Sequence, residues 1–338
     1  MVFLMHICYN YKEISNLGYI LFAHGGLYRL IFKPPEAAGR VYMDKWYNNM
    51  EMADFNSELW EQLRGAYGNV KEDVVLLMVQ EPDVPESEKS LYANYECEYM
   101  VAFDNIFQQL CHQLSFYDAS YIVLPYLAKT FDYWYEKDDF GMQVLFLMNV
   151  GTIVSTDNPF CNPGSARVIK NIPKNLIESY NKSILFFKEK AEEILLNKLE
   201  LLKPLLRPDD IPYILVSLQA FFGKREYTFV YLLGSFSNCL LFCEKCGFFS
   251  EDIELDYDID GDIEELNSII TPAESVIGKW DKKSLDNTYI WLSNALHLTG
   301  CDFDVQKLSY FYGTFTCPKC GAKAKPAIDL YIKALNEC

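Results

Sequence analysis

The sequence contains the knuckle Cys243-Glu-Lys-Cys246-Gly247 and, further along, the knuckle Cys317-Pro-Lys-Cys320-Gly321. In each knuckle two cysteines, separated by two residues, precede a glycine. Such a turn aims both sulfur atoms at one point, and the glycine lets backbone amides approach the thiolates. Two turns of this kind supply the four soft ligands of a tetrahedral Zn²⁺ site. We therefore predict one structural Zn²⁺ ion bound by Cys243, Cys246, Cys317 and Cys320.

The two knuckles are far apart in the chain, with 71 positions from Cys246 to Cys317. A compact zinc ribbon is much shorter, so the residues between them must form an insertion. Two other interpretations stay open, namely reduced thiols without a metal and a redox or disulfide role. Because four thiolates leave no open coordination position, the pattern argues against a catalytic zinc. If one of the four is not a ligand, the substitutes are Cys239, Cys301 and Cys338.

The composition is that of a folded, acidic chain. At 338 residues it is long enough for about two domains, half of its residues are apolar, and 15% are aromatic. The formal net charge of −17 repels phosphate backbones, and the segment from Lys182 to Lys203 mixes both signs. We therefore expect no nucleic-acid partner, whereas the acidic charge suits a basic protein partner.

The cysteine count and the apolar segments indicate in which compartment of the cell the protein is expected. Eleven cysteines without a clear cleavable signal peptide are typical of reduced thiols in the cytoplasm. The apolar run from Leu17 to Phe32 is interrupted by His24, Gly25 and Arg29, and it is too short for a membrane span. We expect a cytoplasmic protein with no membrane partner.

Residues 1–42 differ from the rest of the chain. They carry a net charge of +2 in a strongly acidic protein and end in a linker-like stretch that contains Pro34 and Pro35. From Met43 onward the pattern is that of a globular chain. We expect residues 1–42 to be a disordered leader, or the native chain to start at Met43.

From Trp46 to residue 240 the sequence predicts one helix after another. Apolar residues recur at helical spacing, and Pro125 predicts a kink or an early break within its helix. Gly141–Val154 is apolar on every side and predicts a buried helix, while Ser155–Pro173 predicts a long loop. The other predicted helices are Phe55–Leu63, Val70–Met78, Leu91–Leu114, Ala119–Phe131, Leu176–Leu202, Ile211–Phe222 and Glu226–Leu233.

After the first knuckle the pattern changes. Apolar and acidic residues alternate from Phe248 to Ile259, which predicts a short β-hairpin. Helical spacing then returns in the last part of the chain. The predicted helices there are Thr271–Gly278, Leu285–Leu298 and Ala327–Leu335.

The acidic stretch Asp256–Glu264 matches the start of an EF-hand calcium loop, with oxygen ligands at positions 1, 3 and 5 and Gly261 at position 6. However, Asn267 takes the place of the glutamate at position 12, and a strand-like segment precedes the loop instead of a helix. We favour an acidic strand end and turn, and leave open whether the loop near Asp256 binds a cation.

The sequence shows no catalytic constellation. Of the four histidines, His112 follows Cys111 in a helical context, where adjacent residues do not face each other. The chain has no nucleophile elbow, phosphate-binding loop or dinucleotide fingerprint. We therefore predict a protein without catalytic or cofactor-binding residues, and not an enzyme.

Three separated stretches resemble a loose group of bacterial HEAT-like repeat proteins, which are mostly uncharacterised. These stretches are Trp60–Val74, Leu110–Leu127 and Tyr312–Gly321, the last of which ends in the second knuckle. The resemblance implies an α-solenoid of stacked helix pairs and a protein-binding role. Because proteins similar to these often accompany secreted toxins, it also implies an immunity function.

Together these observations predict a mainly α protein. A HEAT-like α-solenoid is expected over residues 43–240, followed by a zinc-stapled region at residues 241–338 that contains a short β-hairpin. For function we predict a non-catalytic protein-binding module, in particular an immunity protein that neutralises a basic toxin. Two alternatives remain, a redox or metal-responsive regulator that uses the four cysteines, and a hydrolase whose residues the sequence does not bring together.

Overall fold

The structure is a computed structural model that describes residues 50–78, 82–158, 170–228, 241–249, 267–278, 280–330 and 332. This part of the chain is mainly helical, and it contains small antiparallel sheets toward the C-terminal end. Several predictions fall outside the described residues, namely those on the leader at residues 1–42, the acidic stretch Asp256–Glu264, Cys239 and Cys338.

The chain divides into two compact units. The first takes in Met1–Phe146 and Gly164–Ser183, and the second takes in Leu147–Pro163 and Ile184–Glu337. This division differs from the domain boundary that we predict near residue 240, which stays a prediction.

In the described residues before position 194 the structure has six α-helices. The prediction for Val70–Met78 is confirmed, while the first predicted helix is shorter than expected, and residues 91–97 are not helical. A 3₁₀ turn, His112–Leu114, follows the third helix. The helices are α1 (Leu59–Gln62), α2 (Lys71–Leu77), α3 (Glu98–Leu110), α4 (Ser120–Glu136), α5 (Phe140–Thr156) and α6 (Lys174–Glu193).

The core of the first unit is largely aromatic. The Phe103 ring lies 4.7 Å from the rings of both Phe107 and Phe146, measured between centroids. Trp60 and Tyr126 form a second aromatic contact at 5.8 Å, and the Tyr126 hydroxyl donates to the carbonyl oxygen of Ala53. Buried aromatic pairs of this kind stabilise a fold beyond the area that they bury.

Of the kink or early break expected at Pro125, the break is wrong, because α4 runs past the proline to Glu136, while the kink stays a prediction. Proline removes one helical hydrogen bond, but the side chains from Tyr121 to Ala128 are all buried. The free energy gained by burying these side chains outweighs the one lost hydrogen bond. The prediction for α5 is confirmed, since all of its residues are buried or half-buried.

The long helix predicted for Leu176–Leu202 is regular only to Glu193. A π-helical turn, Ile194–Lys198, and a 3₁₀ turn, Leu199–Leu201, follow α6 before α7 (Leu202–Leu205). The chain therefore stays helical where the periodicity predicts it, but with a change of pitch.

The helices of the second unit pack in series. Helix α8 (Ile211–Gln219) packs against α9 (Thr288–Thr299), and α9 packs against α10 (Asp302–Phe311). Within this unit a Cβ atom on Gly151 would overlap the carbonyl oxygen of Ser217, so α8 and the end of α5 are in close contact.

The described residues include five short strands in two antiparallel sheets. The first sheet pairs β1 (Phe242–Cys243) with β2 (Phe248–Phe249), and the second has the order β3-β4-β5. The predicted helix at Thr271–Gly278 is wrong, because Thr271 pairs with Thr314 of β4 and the residues after it are not helical. The strands of the second sheet are β3 (Ile270–Thr271), β4 (Thr314–Thr316) and β5 (Lys323–Ala324).

Within the described ranges, the helices lack the combination of length and hydropathy that is needed to cross a bilayer.

Candidate metal centre

The first knuckle is the turn of the β1–β2 hairpin. Cys243 is the last residue of β1 and lies opposite Phe248 in β2. The N–H groups of Cys246 and Gly247 both donate to the carbonyl oxygen of Cys243, at 3.3 and 2.9 Å. These bonds fold the turn so tightly that both thiols lie on the same side of the hairpin end.

The second knuckle connects β4 to β5. Cys317 directly follows β4, and its N–H donates to the carbonyl oxygen of Ala322 at 2.8 Å. Strand β4 also pairs with β3, so that residues near position 270 support the second knuckle from the other side. The sheet therefore holds this knuckle by contacts distant in sequence.

The backbones of the two knuckles have the same geometry. Gly247 has a φ angle of +68°, and Gly321 has one of +67°. The N–H of Gly321 donates to the carbonyl oxygen of Cys317 at 2.9 Å, as Gly247 does to Cys243. Side chains other than glycine rarely adopt this left-handed conformation, so the glycine in each motif fixes the turn.

The four sulfur atoms form one cluster across the two knuckles. The Sγ atoms of Cys243 and Cys320 are 3.6 Å apart, and those of Cys246 and Cys317 are also 3.6 Å apart. All four lie within 4.8 Å of one another. Tetrahedral zinc with Zn–S bonds of about 2.3 Å separates its sulfur ligands by about 3.8 Å. The cluster thus has the size and the donors to hold a metal ion such as zinc.

The environment of the cluster favours a thiolate at one position. Burial raises the pKa of the Cys317 thiol, but N–H groups of Cys320 and Lys319 outweigh it and lower that pKa to about 7. Burial and the neighbouring thiols raise the pKa of Cys246. Since Cys243 and Cys317 are also buried, four uncompensated thiolates would repel one another here. A divalent cation removes this repulsion and displaces the protons.

The other predicted ligands do not join the cluster where they are described. Cys301 is buried, and its thiol contacts the Thr299 hydroxyl and the carbonyl oxygen of Pro208. Asn267, at the last position of the predicted calcium loop, accepts a hydrogen bond from the Tyr310 hydroxyl at 3.1 Å. Cys301 is therefore a core residue, and the Asn267 side chain has a structural role.

Two of the histidines contact polar side chains away from the cluster. The Tyr67 hydroxyl lies 2.7 Å from Nδ1 of His112, and His297 Nδ1 lies 2.6 Å from a carboxylate oxygen of Asp302. The first contact joins the loop before α2 to the end of α3. Both contacts are exposed, and each lies beside a helix end.

A groove beside the first knuckle is a feature that the sequence did not predict. It has a volume of about 340 Å³, and three residues of its lining belong to the first knuckle, namely Cys243, Glu244 and Lys245. The rest of its lining consists of Phe315, Ala322, Lys323, Ala324 and Leu330.

Comparison of the chain with protein-family profiles, with curated proteins and with solved structures finds no match. The resemblance to HEAT-like repeat proteins therefore stays a prediction.

Proposed function

We propose that this protein is a non-catalytic binding module whose first unit binds a basic protein partner. One observation carries the proposal. Residues 51–100 hold twelve acidic residues against three basic ones, which is a net charge of −9 out of −17 for the chain. A local field of this kind accelerates the association of a basic partner and selects against acidic ones.

Exposed apolar side chains in the same part of the chain support the proposal. Tyr67 is 66% exposed, and Leu76, Tyr92 and Val101 are each about 40% exposed. Leu76 lies in α2 and Val101 in α3, two helices that pack on each other. Apolar residues surrounded by charged ones are typical of protein-binding surfaces.

We propose that the partner is a basic toxin and that the helices form a HEAT-like solenoid. The toxin follows from the family resemblance together with the acidic charge. For the solenoid, the support is that α2 packs on α3, two helices that are adjacent in sequence within residues 43–240. Stacked neighbours of this kind are the repeating unit of solenoid proteins.

The metal in this proposal is zinc with a structural role. Four cysteine ligands complete a tetrahedral shell, so that neither water nor a substrate reaches the ion. The ion would join two chain segments that are 71 positions apart in sequence. Its binding energy would contribute directly to folding, since the unfolded chain has no such site.

The test is affinity purification of the tagged protein from its native host. Glu72→Lys/Glu98→Lys reverses two exposed charges in the first unit, and Glu274→Lys/Asp286→Lys makes the same change of charge in the second. We expect a stoichiometric basic protein with the wild type and the control variant. The variant of the first unit should lose it or bind it about tenfold more weakly.

Two results would contradict the proposal. One is the absence of a stoichiometric partner from every growth condition tested. The other is an equal loss of the partner in both charge-reversal variants, because the acidic first unit would then have no specific role.

A further inference from the structure

The knuckle groove differs in charge from the rest of the protein. Lys245 and Lys323 line it, and two further lysines are near in sequence, Lys319 inside the second knuckle and Lys325 directly after β5. All four lysines are exposed, and no ion pair holds any of them within the described part of the chain. The two lysines of the lining attract anions to this groove, on a chain of net charge −17.

The floor of this groove is apolar and its edge is a β-strand. Phe315 and Leu330 are buried beneath it, and Ala322 and Ala324 are half-buried. Strand β5 is at the edge of its sheet, with β4 as its one neighbour in the order β3-β4-β5 of the described strands. An edge strand beside a groove accepts an extended peptide by main-chain hydrogen bonds, while pockets take alternate side chains.

We propose that this groove binds an extended acidic peptide of a partner protein, whose carboxylates contact Lys245 and Lys323. This site is separate from the acidic surface of the proposed function, and it has the opposite charge. The apolar residues of the peptide would lie over the alanines of the floor. Zinc would support binding, because Cys243, one of the predicted ligands, is part of the groove lining.

A peptide fits the groove better than a nucleic acid does. Glu244 contributes a carboxylate to the lining, which repels a continuous phosphate backbone. Phe315, the aromatic residue of the lining, is only 1% exposed, so its ring is not accessible for base stacking. A peptide can place its carboxylates at the lysines and neutral residues near Glu244.

The experiment uses the full zinc-loaded chain and a short fluorescent peptide of alternating glutamate and valine. Binding is followed by fluorescence anisotropy at two salt concentrations, because salt screens exposed charges. The variant Lys245→Gln/Lys323→Gln should bind the peptide about fivefold to tenfold more weakly. The control Lys282→Gln/Lys283→Gln removes two exposed charges away from the groove lining and should leave binding unchanged.

Three results would overturn the proposal. The first is no binding of the glutamate–valine peptide to the wild type. The second is an equal loss of affinity in the control variant. The third is tighter binding of an oligothymidylate that depends on the same two lysines, which would assign the groove to single-stranded nucleic acid.

A second variant covers the case in which Lys245→Gln/Lys323→Gln loses zinc or folds poorly. Ala324→Asp places a carboxylate in the groove lining and leaves both knuckles intact. It should weaken binding of the glutamate–valine peptide while zinc content and melting temperature stay at the wild-type level. Unchanged binding by this variant, with zinc retained, would equally overturn the proposal.

Discussion

In the first unit Phe103 is surrounded by aromatic rings and is 1% exposed, whereas in the second unit β1, β2 and β5 are each two residues long. An aromatic core buries enough apolar surface to hold its helices without help. Strands this short are not stable alone in water. The two regions therefore differ in what holds them, since apolar packing holds the aromatic core, whereas the short strands depend on buried side chains such as Phe315 together with the four-cysteine cluster.

The largest effect on stability is expected from removing one cysteine of the cluster. We expect Cys243→Ser or Cys320→Ser to lower the zinc content sharply and the melting temperature by about 10 °C or more. Each substitution removes one of the four sulfur ligands by which zinc would join the two knuckles. Zinc is measured by elemental analysis and stability by a thermal melt. Cys97→Ser, at a half-buried cysteine of the first unit, is the control and should keep its zinc. Wild-type melting in both ligand variants would contradict a structural metal.

Removing an aromatic side chain tests the other region, the core of the first unit. Phe103→Ala should cost about 3–5 kcal/mol, because it leaves a cavity beside Phe107 and Phe146 that the neighbours fill only in part. Denaturant unfolding of the variant measures this loss. If the aromatic core and the cysteine cluster are stable independently of each other, the variant keeps one zinc per chain. A chelator then leaves its loss of unfolding free energy unchanged. If Phe103→Ala also lost its zinc, the stability of the aromatic core and that of the cysteine cluster would be coupled.

A smaller effect is expected where α5 and α8 meet in the second unit. Gly151→Ala should destabilise by about 1–3 kcal/mol, because the added methyl group overlaps the Ser217 carbonyl oxygen and forces the helices apart. Thermal melts with and without a chelator compare this packing contact with the metal. A variant that melts like the wild type would mean that the two helices adjust at no cost.

The smallest expected effect concerns a carboxylate of the first unit. Burial, despite a hydrogen bond from Asn105, raises the pKa of Asp73 from 3.8 to about 6. The folded protein therefore binds the proton more tightly than the unfolded chain, and stability decreases as the pH rises from about 4 to 6. Asp73→Asn should flatten this part of the pH profile and stabilise the protein by about 1 kcal/mol at pH 7.

The control for this pH profile is Asp83→Asn, which changes an exposed aspartate in the same unit. Thermal melts between about pH 4 and pH 7 compare the two variants with the wild type. If the pH profile of Asp73→Asn kept the wild-type slope, other carboxylates, such as those of Asp104 and Asp118, would dominate the pH dependence of stability. Burial raises the pKa of both of these as well, so they act in the same direction.

Local pattern alone predicted the helices that have one apolar face or are apolar throughout, such as α2 and α5. It also predicted both knuckles, because two cysteines and a glycine within five residues determine a turn without help from the rest of the chain. At Thr271 the expected helix was wrong for a reason that lies in the tertiary structure, since Thr271 pairs with Thr314 of β4 and is thereby part of a strand.

The sequence by itself determined a mainly helical chain with two cysteine turns, because helical periodicity and the Cys-x-x-Cys-Gly pattern act over a few residues. Only the tertiary structure decided that the four sulfur atoms of the two turns form one cluster, since the turns belong to different sheets and are 71 positions apart in sequence. It also decided that α4 continues through Pro125, because burial of the complete turn outweighs one missing hydrogen bond. The groove and its lysines arise in the same way, from two segments that only the fold brings together.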